Sequence, residues 1–254
     1  MAYGQLNISS INGSGLENNL LINPEFTVNQ RGSATPTTTS NAYNYDRWYY
    51  DGTYLYQGIE GNNLRATTYT LSWTGAMTAS YSLNTGAAST QSGQSWTSVA
   101  NGTNITIASV GSNNLWIRFS AQPTQPKLEL GTSQTTFVPR LYGQELALCQ
   151  RYYWQTSGGV GSSNGYDIVA IAENTTNVTF RGQFPAPLRA RPTINGSAIT
   201  LNKNYGASYT QSSFQFSSQC STTSITGYGA NFTGLTTNAM YEIDTPTITF
   251  SSEL

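Results

Sequence analysis

The chain has 254 residues, enough for one large domain or two small ones, and only 9% of them are charged: 11 Lys plus Arg, 12 Asp plus Glu and no histidine, where soluble domains carry about 25%. The missing histidine excludes Ser-His-Asp and Cys-His catalysis and His-ligated zinc or iron sites. A net charge of -1 without a basic stripe argues against nucleic acid as a partner, and no apolar run approaches the roughly 18 residues of a membrane span, so no membrane insertion is expected.

Aromatic residues make up 12% of the chain, which opposes disorder despite the wealth of Ser, Thr, Asn and Gln. Residues 1–19 mix small and polar types around Asn12-Gly13-Ser14-Gly15, with no signal-peptide layout, and read as an N-terminal arm. Leu20 to Val28, with Pro24, reads as a bent edge strand, and Ser33 to Asn41 as a Thr-rich loop. Strand signals then recur at short spacing: Tyr43–Tyr50, the Asp51-Gly52 turn, Tyr54–Tyr56, Leu64–Trp73, Met77–Leu83, Trp96–Val99, Ile105–Val110, Leu115–Phe119 and Lys127–Leu130.

Gln144 to Arg151 is the one strong helix-propensity run. After it come Tyr152–Trp154, a glycine loop over Ser157–Gly165, and strands at Asp167–Ala172, Asn177–Phe184, Ile199–Leu201, Ser213–Ser217, Ser224–Tyr228 and Thr247–Phe250. Pro185, Pro187 and Pro192 mark an extended crossing. The fold class is therefore all-β, with two β-sandwich or jelly-roll domains over residues 20–141 and 142–254, joined by a short helix. Cys149 and Cys220 read as free buried thiols, with a pairing left open.

Several segments together resemble virion surface proteins of tailed bacteriophages. They are Leu20-Leu21-Ile22-Asn23-Pro24-Glu25-Phe26 with Gln30-Arg31-Gly32, then Asp46-Arg47-Trp48, then Lys127-Leu128-Glu129-Leu130-Gly131 with Thr136-Phe137-Val138-Pro139-Arg140. The most specific is Glu145-Leu146-Ala147-Leu148-Cys149-Gln150-Arg151-Tyr152-Tyr153, followed by Phe184 to Arg189 and Glu253-Leu254. The resemblance spans residues 20–254. It implies a tail-fibre, receptor-binding or other appendage component, assembled in the host cytoplasm, whose first domain is similar to a carbohydrate-binding-module jelly roll. It also implies self-association, as a trimer, and attachment to other virion proteins through the arm. The partners expected are those virion proteins and host cell-surface glycans. A capsid decoration protein clamping shell subunits is the alternative.

The candidate glycan-binding residues are Tyr49, Tyr50, Tyr54 and Tyr56, because sugars stack their C–H faces on rings. Strand alternation puts half of such rings inward, so core packing competes with that reading. Trp48, Trp73, Trp96 and Trp116 read as core. A glycosidase needs two carboxyl groups about 5–9 Å apart. Asp46 and Asp51 flank one hairpin, but turn and ion-pair roles suit them better, and no catalytic residue is assigned. The scarce charges Glu25, Arg31, Asp46, Arg47, Glu129 and Arg140 are expected to form structural ion pairs, since an unpaired buried Arg is unfavourable. Glu145, Leu146, Leu148, Cys149, Arg151 and Tyr152 are expected to form the interdomain connector. No cofactor is expected. No Asp-rich loop offers the oxygen ligands calcium wants, and no metal is assigned.

Overall fold

A computed structural model describes residues 19–156, 168–195, 199–203, 207–211, 220–245 and 248–254. The predicted arm up to residue 18, the glycine loop and the strand at 213–217 lie outside the described residues. The described chain is all-β: eighteen strands in four antiparallel sheets, with one α-helix, α1 (Tyr142–Gln150). It divides into two compact units, the described residues up to Leu146 together with Leu254, and Ala147 to Glu253.

In the first unit a six-stranded sheet has the order β1 (Ala42–Tyr45), β2 (Trp48–Tyr50), β3 (Leu55–Ile59), β8 (Asn114–Phe119), β5 (Ala79–Asn84), β6 (Thr97–Val99). A three-stranded sheet has the order β7 (Thr103–Thr106), β4 (Thr68–Thr74), β9 (Thr124–Leu130). The chain alternates between the sheets through β3, β4, β5 and again through β7, β8, β9, a jelly-roll-like crossing. Leu55, Ile59, Leu115, Ile117 and Phe119 of the first sheet share one core with Tyr69, Leu71, Ile105 and Leu128 of the second. The two inner faces thus close as a sandwich.

The Tyr43–Tyr50 stretch folds as a hairpin rather than one strand. Tyr45 pairs with Trp48, so Asp46 and Arg47 form the turn, with Arg47 at φ 70°. The turn at Asp51-Gly52 is present, with Gly52 at φ 104°. Leu20 to Val28 is not a strand. Asn23 and Phe26 adopt φ of 54° and 55°, and the Asn23 side chain bonds the Val28 N–H and carbonyl at 3.0 and 2.8 Å. An Asn that closes its own backbone loop in this way replaces ladder bonding.

Asn19 belongs to the sandwich and not to an arm. Its Oδ1 accepts the Leu21 and Leu128 N–H groups, each at 3.0 Å, and its Nδ2 donates to the Pro126 carbonyl at 3.0 Å. Leu20 N also donates to Leu128 O at 2.8 Å, fastening this segment to β9.

In the second unit a six-stranded sheet has the order β15 (Ala207–Gln211), β14 (Ile199–Lys203), β17 (Met240–Thr245), β11 (Ile168–Ala172), β12 (Val178–Gln183), β16 (Ser224–Gly229). A three-stranded sheet joins β10 (Tyr153–Gln155), β18 (Thr249–Ser251) and β13 (Thr193–Asn195). Trp154 and Phe250 from the small sheet pack with Ala170, Phe180 and Tyr241 from the large one. The polar, weakly patterned strands β13, β15 and β17 are additional to the sequence expectation. Cys149 and Cys220 are both buried thiols, neither of them in a disulfide. Burial pushes the Cys220 thiol up, against the pull of its bond to the Thr226 carbonyl and of Arg191.

Candidate functional site

The recurring sequence segments converge on one buried polar network in the first unit. The Glu145 carboxylate accepts the Asn23 N–H at 2.5 Å and lies 3.1 Å from Arg140 Nη1. Arg140 also donates to the Leu21 carbonyl at 3.1 Å and to the Asn19 carbonyl. The Trp48 indole donates to the Asn23 carbonyl at 2.8 Å, while Asn23 Nδ2 donates to the Asp46 carbonyl at 3.1 Å. Asp46 is fully buried; it accepts the Gln30 N–H at 2.6 Å and lies 4.0 Å from Arg31 Nε. Arg47 is buried and donates to the Gly58 carbonyl at 2.5 Å.

Two pairings differ from expectation. Arg140 pairs with Glu145, a residue assigned by sequence to the connector. Glu129 pairs with Lys127 at 3.0 Å, and both are buried. Glu25 is solvent-exposed and makes no ion pair among the described residues, because the turn at Phe26 points this position outward. Elsewhere in the proposed connector, Leu146 and Leu148 are half-buried, Cys149 and Tyr152 are buried, and Arg151 lies over the Tyr152 ring at 5.9 Å.

Lys127 donates to Thr135 Oγ1 and to the Thr136 carbonyl. Burial alone would push the Glu129 carboxyl up. The Thr135 N–H at 2.9 Å, its hydroxyl at 2.5 Å and the Lys127 charge outweigh that, and hold it below the usual carboxylate range. These bonds tie the loop after β9 onto the outer face of the small sheet. A polar cleft of about 390 Å³ opens beside it, lined by Ser72, Thr74, Gln125, Gln134, Thr135 and Phe137.

The predicted sugar-stacking tyrosines sit on the outer face of the six-stranded sheet, except Tyr50, which packs with the inner core. Register places Tyr43, Tyr49, Tyr56, Arg118, Ser80 and Ser98 in one row across all six strands. Tyr49 and Tyr56 are 5% and 0% exposed and offer no ring face to a ligand. The reason is a second small core: Ala88 and Leu254 pack on this face with Tyr49, Tyr56 and Trp116. The Ala88 N–H bonds the Leu254 carbonyl at 3.1 Å, and the Tyr43 hydroxyl bonds it at 3.1 Å.

Tyr54 and Trp96 remain half-buried at the open part of that face. The Trp96 indole donates to the Gln91 carbonyl at 3.0 Å, which fixes the ring. Trp96 is therefore not a core residue like Trp73 and Trp116, contrary to its reading as part of a strand. Arg118 from β8 lies over both rings, its Cζ 4.1 Å from the Tyr54 centroid and 4.3 Å from that of Trp96. Such contacts hold a guanidinium in place without neutralising it.

Asp51, at the adjacent turn, accepts the Thr53 and Tyr54 N–H groups at 2.7 Å each and the Tyr56 hydroxyl at 2.5 Å. Burial, then the bond to Asp51, pushes the Tyr56 phenol well above its ordinary value, with Arg118 pulling the other way. Tyr49 is raised by burial and by the Asp51 charge. Asp51 is thus engaged as a turn and phenol acceptor, and Asp46 as an acceptor for Gln30. Two half-buried rings, the guanidinium they clasp and, in the same row, Ser80 and Ser98 thus lie together on this face. Compared with known protein families, characterised proteins and solved structures, the chain gives no match.

Proposed function

We propose that this chain is a non-enzymatic surface component of a tailed-phage virion, a tail-fibre or appendage protein that adheres to host glycans. The observation that carries the adhesive part is the placement of Arg118 over Tyr54 and Trp96 on the open face of the six-stranded sheet. The virion part rests on the motif resemblance over residues 20–254. Symmetric copies, a trimer in this reading, would multiply weak single sites into firm attachment. A glycan array and a host-cell binding assay, run with the natural sequence and with Trp96→Ala, test the adhesive reading. Binding that Trp96→Ala reduces supports it, and blank results in both assays sink it. Immunogold labelling of intact particles tests the location.

The second reading, a decoration protein packed on shell subunits, is favoured by one feature of the second unit. Met240, Ile171, Thr179 and Tyr228 form a register row on the outer face of its large sheet, and Met240, Ile171 and Tyr228 are exposed. Exposed apolar rows of this kind mark interaction surfaces. Gold particles on the head rather than the tail would select this reading.

A further inference from the structure

We infer that the Tyr54–Trp96–Arg118 patch selects saccharides bearing a carboxylate, with Arg118 as the group that reads the acid; this rests on the glycan-adhesion reading above. Other cations of the first unit have an acid beside them, and Arg31 lies 4.0 Å from Asp46. Arg140 has Glu145, and Lys127 has Glu129. Arg118 has no carboxylate partner among the described residues.

Its Nε is buried and lacks a hydrogen-bond partner, and its compensation comes from two ring faces and the neighbouring Tyr56 oxygen. A partly desolvated cation without a counterion attracts an anion more strongly than a hydrated one does. A guanidinium is also a planar fork of donors that matches a carboxylate in two parallel bonds, a geometry a neutral hydroxyl cannot use.

The surroundings agree. Asp51, which with Arg118 acts on the Tyr56 hydroxyl, already accepts three hydrogen bonds at its turn and forms no ion pair with Arg118. Ser80 lies directly beside Arg118 in the cross-strand register, and Ser98 beside Ser80, giving hydroxyl groups next to the charge. Tyr54 and Trp96 clasp the guanidinium, and the part of each half-buried ring left exposed lies beside it as apolar surface. One patch therefore holds exposed aromatic surface, neutral donors and one guanidinium without a carboxylate partner among the described residues.

The test is calorimetric titration of the full chain with a panel of uronic-acid and sialic-type oligosaccharides and with the same compounds after reduction of the carboxyl to an alcohol. The acid forms are expected to bind at least about tenfold more tightly, the worth of one charge-assisted hydrogen bond. Arg118→Gln, which removes the charge, is expected to abolish that preference while leaving the reduced compounds bound as before, and Arg118→Lys, which keeps the charge but loses the fork, to lessen it. Tyr54→Ala is expected to weaken both forms. Equal binding of acid and reduced forms by the unaltered chain overturns the carboxylate selection and leaves the glycan reading standing. Binding of neither form overturns both. The comparison within the unaltered chain decides the matter even if a variant fails to fold.

Discussion

The carboxylate of Glu145, in helix α1, accepts the backbone N–H of Asn23 at 2.5 Å, joining positions 122 residues apart in sequence. The same carboxylate pairs with Arg140, whose guanidinium reaches the carbonyls of Leu21 and Asn19. Removing the acid leaves the buried guanidinium without its counter-charge and the buried Asn23 N–H without its acceptor. Glu145→Ala is therefore expected to destabilise the first unit by about 3–5 kcal/mol, the usual consequence of breaking a buried pair. Urea unfolding followed by tryptophan fluorescence measures this, and a change below about 1 kcal/mol, the range of surface pairs, would contradict it.

Glu129 gives the protein an acid-sensitive fastening. Its carboxyl is held below the ordinary value of 4.5, so in acid the unfolded chain takes up the proton more readily than the folded one. Its contribution is present above about pH 4.5 and disappears as the pH falls through the lower folded value. Thermal midpoints measured from pH 7 down to pH 3 are expected to fall, and Glu129→Gln is expected to flatten the fall while lowering the midpoint at pH 7. An identical pH profile in the variant would rule out this residue as its source.

Gly58 lies between Trp116 and Leu254. A methyl group there would come within 2.9 Å of the Trp116 ring and 2.9 Å of the Leu254 side chain. Gly58→Ala is expected to destabilise by about 1–3 kcal/mol, typical of overpacking, and to perturb the near-ultraviolet dichroism of the tryptophans. An unchanged spectrum and midpoint would show that this outer core yields freely.

Both cysteines are buried and neither is in a disulfide. Ellman's reagent is expected to find no reactive thiol in the native protein and both in urea, because attack requires an exposed thiolate. Rapid native labelling of Cys220 would refute its packing in the core of the second unit.

The strand-rich architecture was legible because each Thr, Tyr and Val run is bounded by Gly or Asn turns. The scarce charges were legible as structural, but their pairing was not. Helix propensity places Glu145 in α1 without saying that the helix sits where the Asn23 loop returns. Likewise, alternation in β3 correctly sends Tyr56 away from Leu55, but it cannot reveal that Ala88 and Leu254 cover that second face. Trp96 was misread for a related reason. Its indole is held by the Gln91 carbonyl within a local loop rather than by the sheet. Leu20 to Val28 has the apolar content of a strand, yet one Asn side chain at position 23 competes for its backbone groups.

The burial of the Arg140–Glu145 and Lys127–Glu129 pairs has a consequence for ionic strength. Counterions screen exposed charges over about 8 Å at physiological salt, but reach buried pairs far less. With so few charges elsewhere in the chain, thermal stability should stay nearly constant from dilute buffer to seawater-like salt, so that the fold keeps its shape across that range.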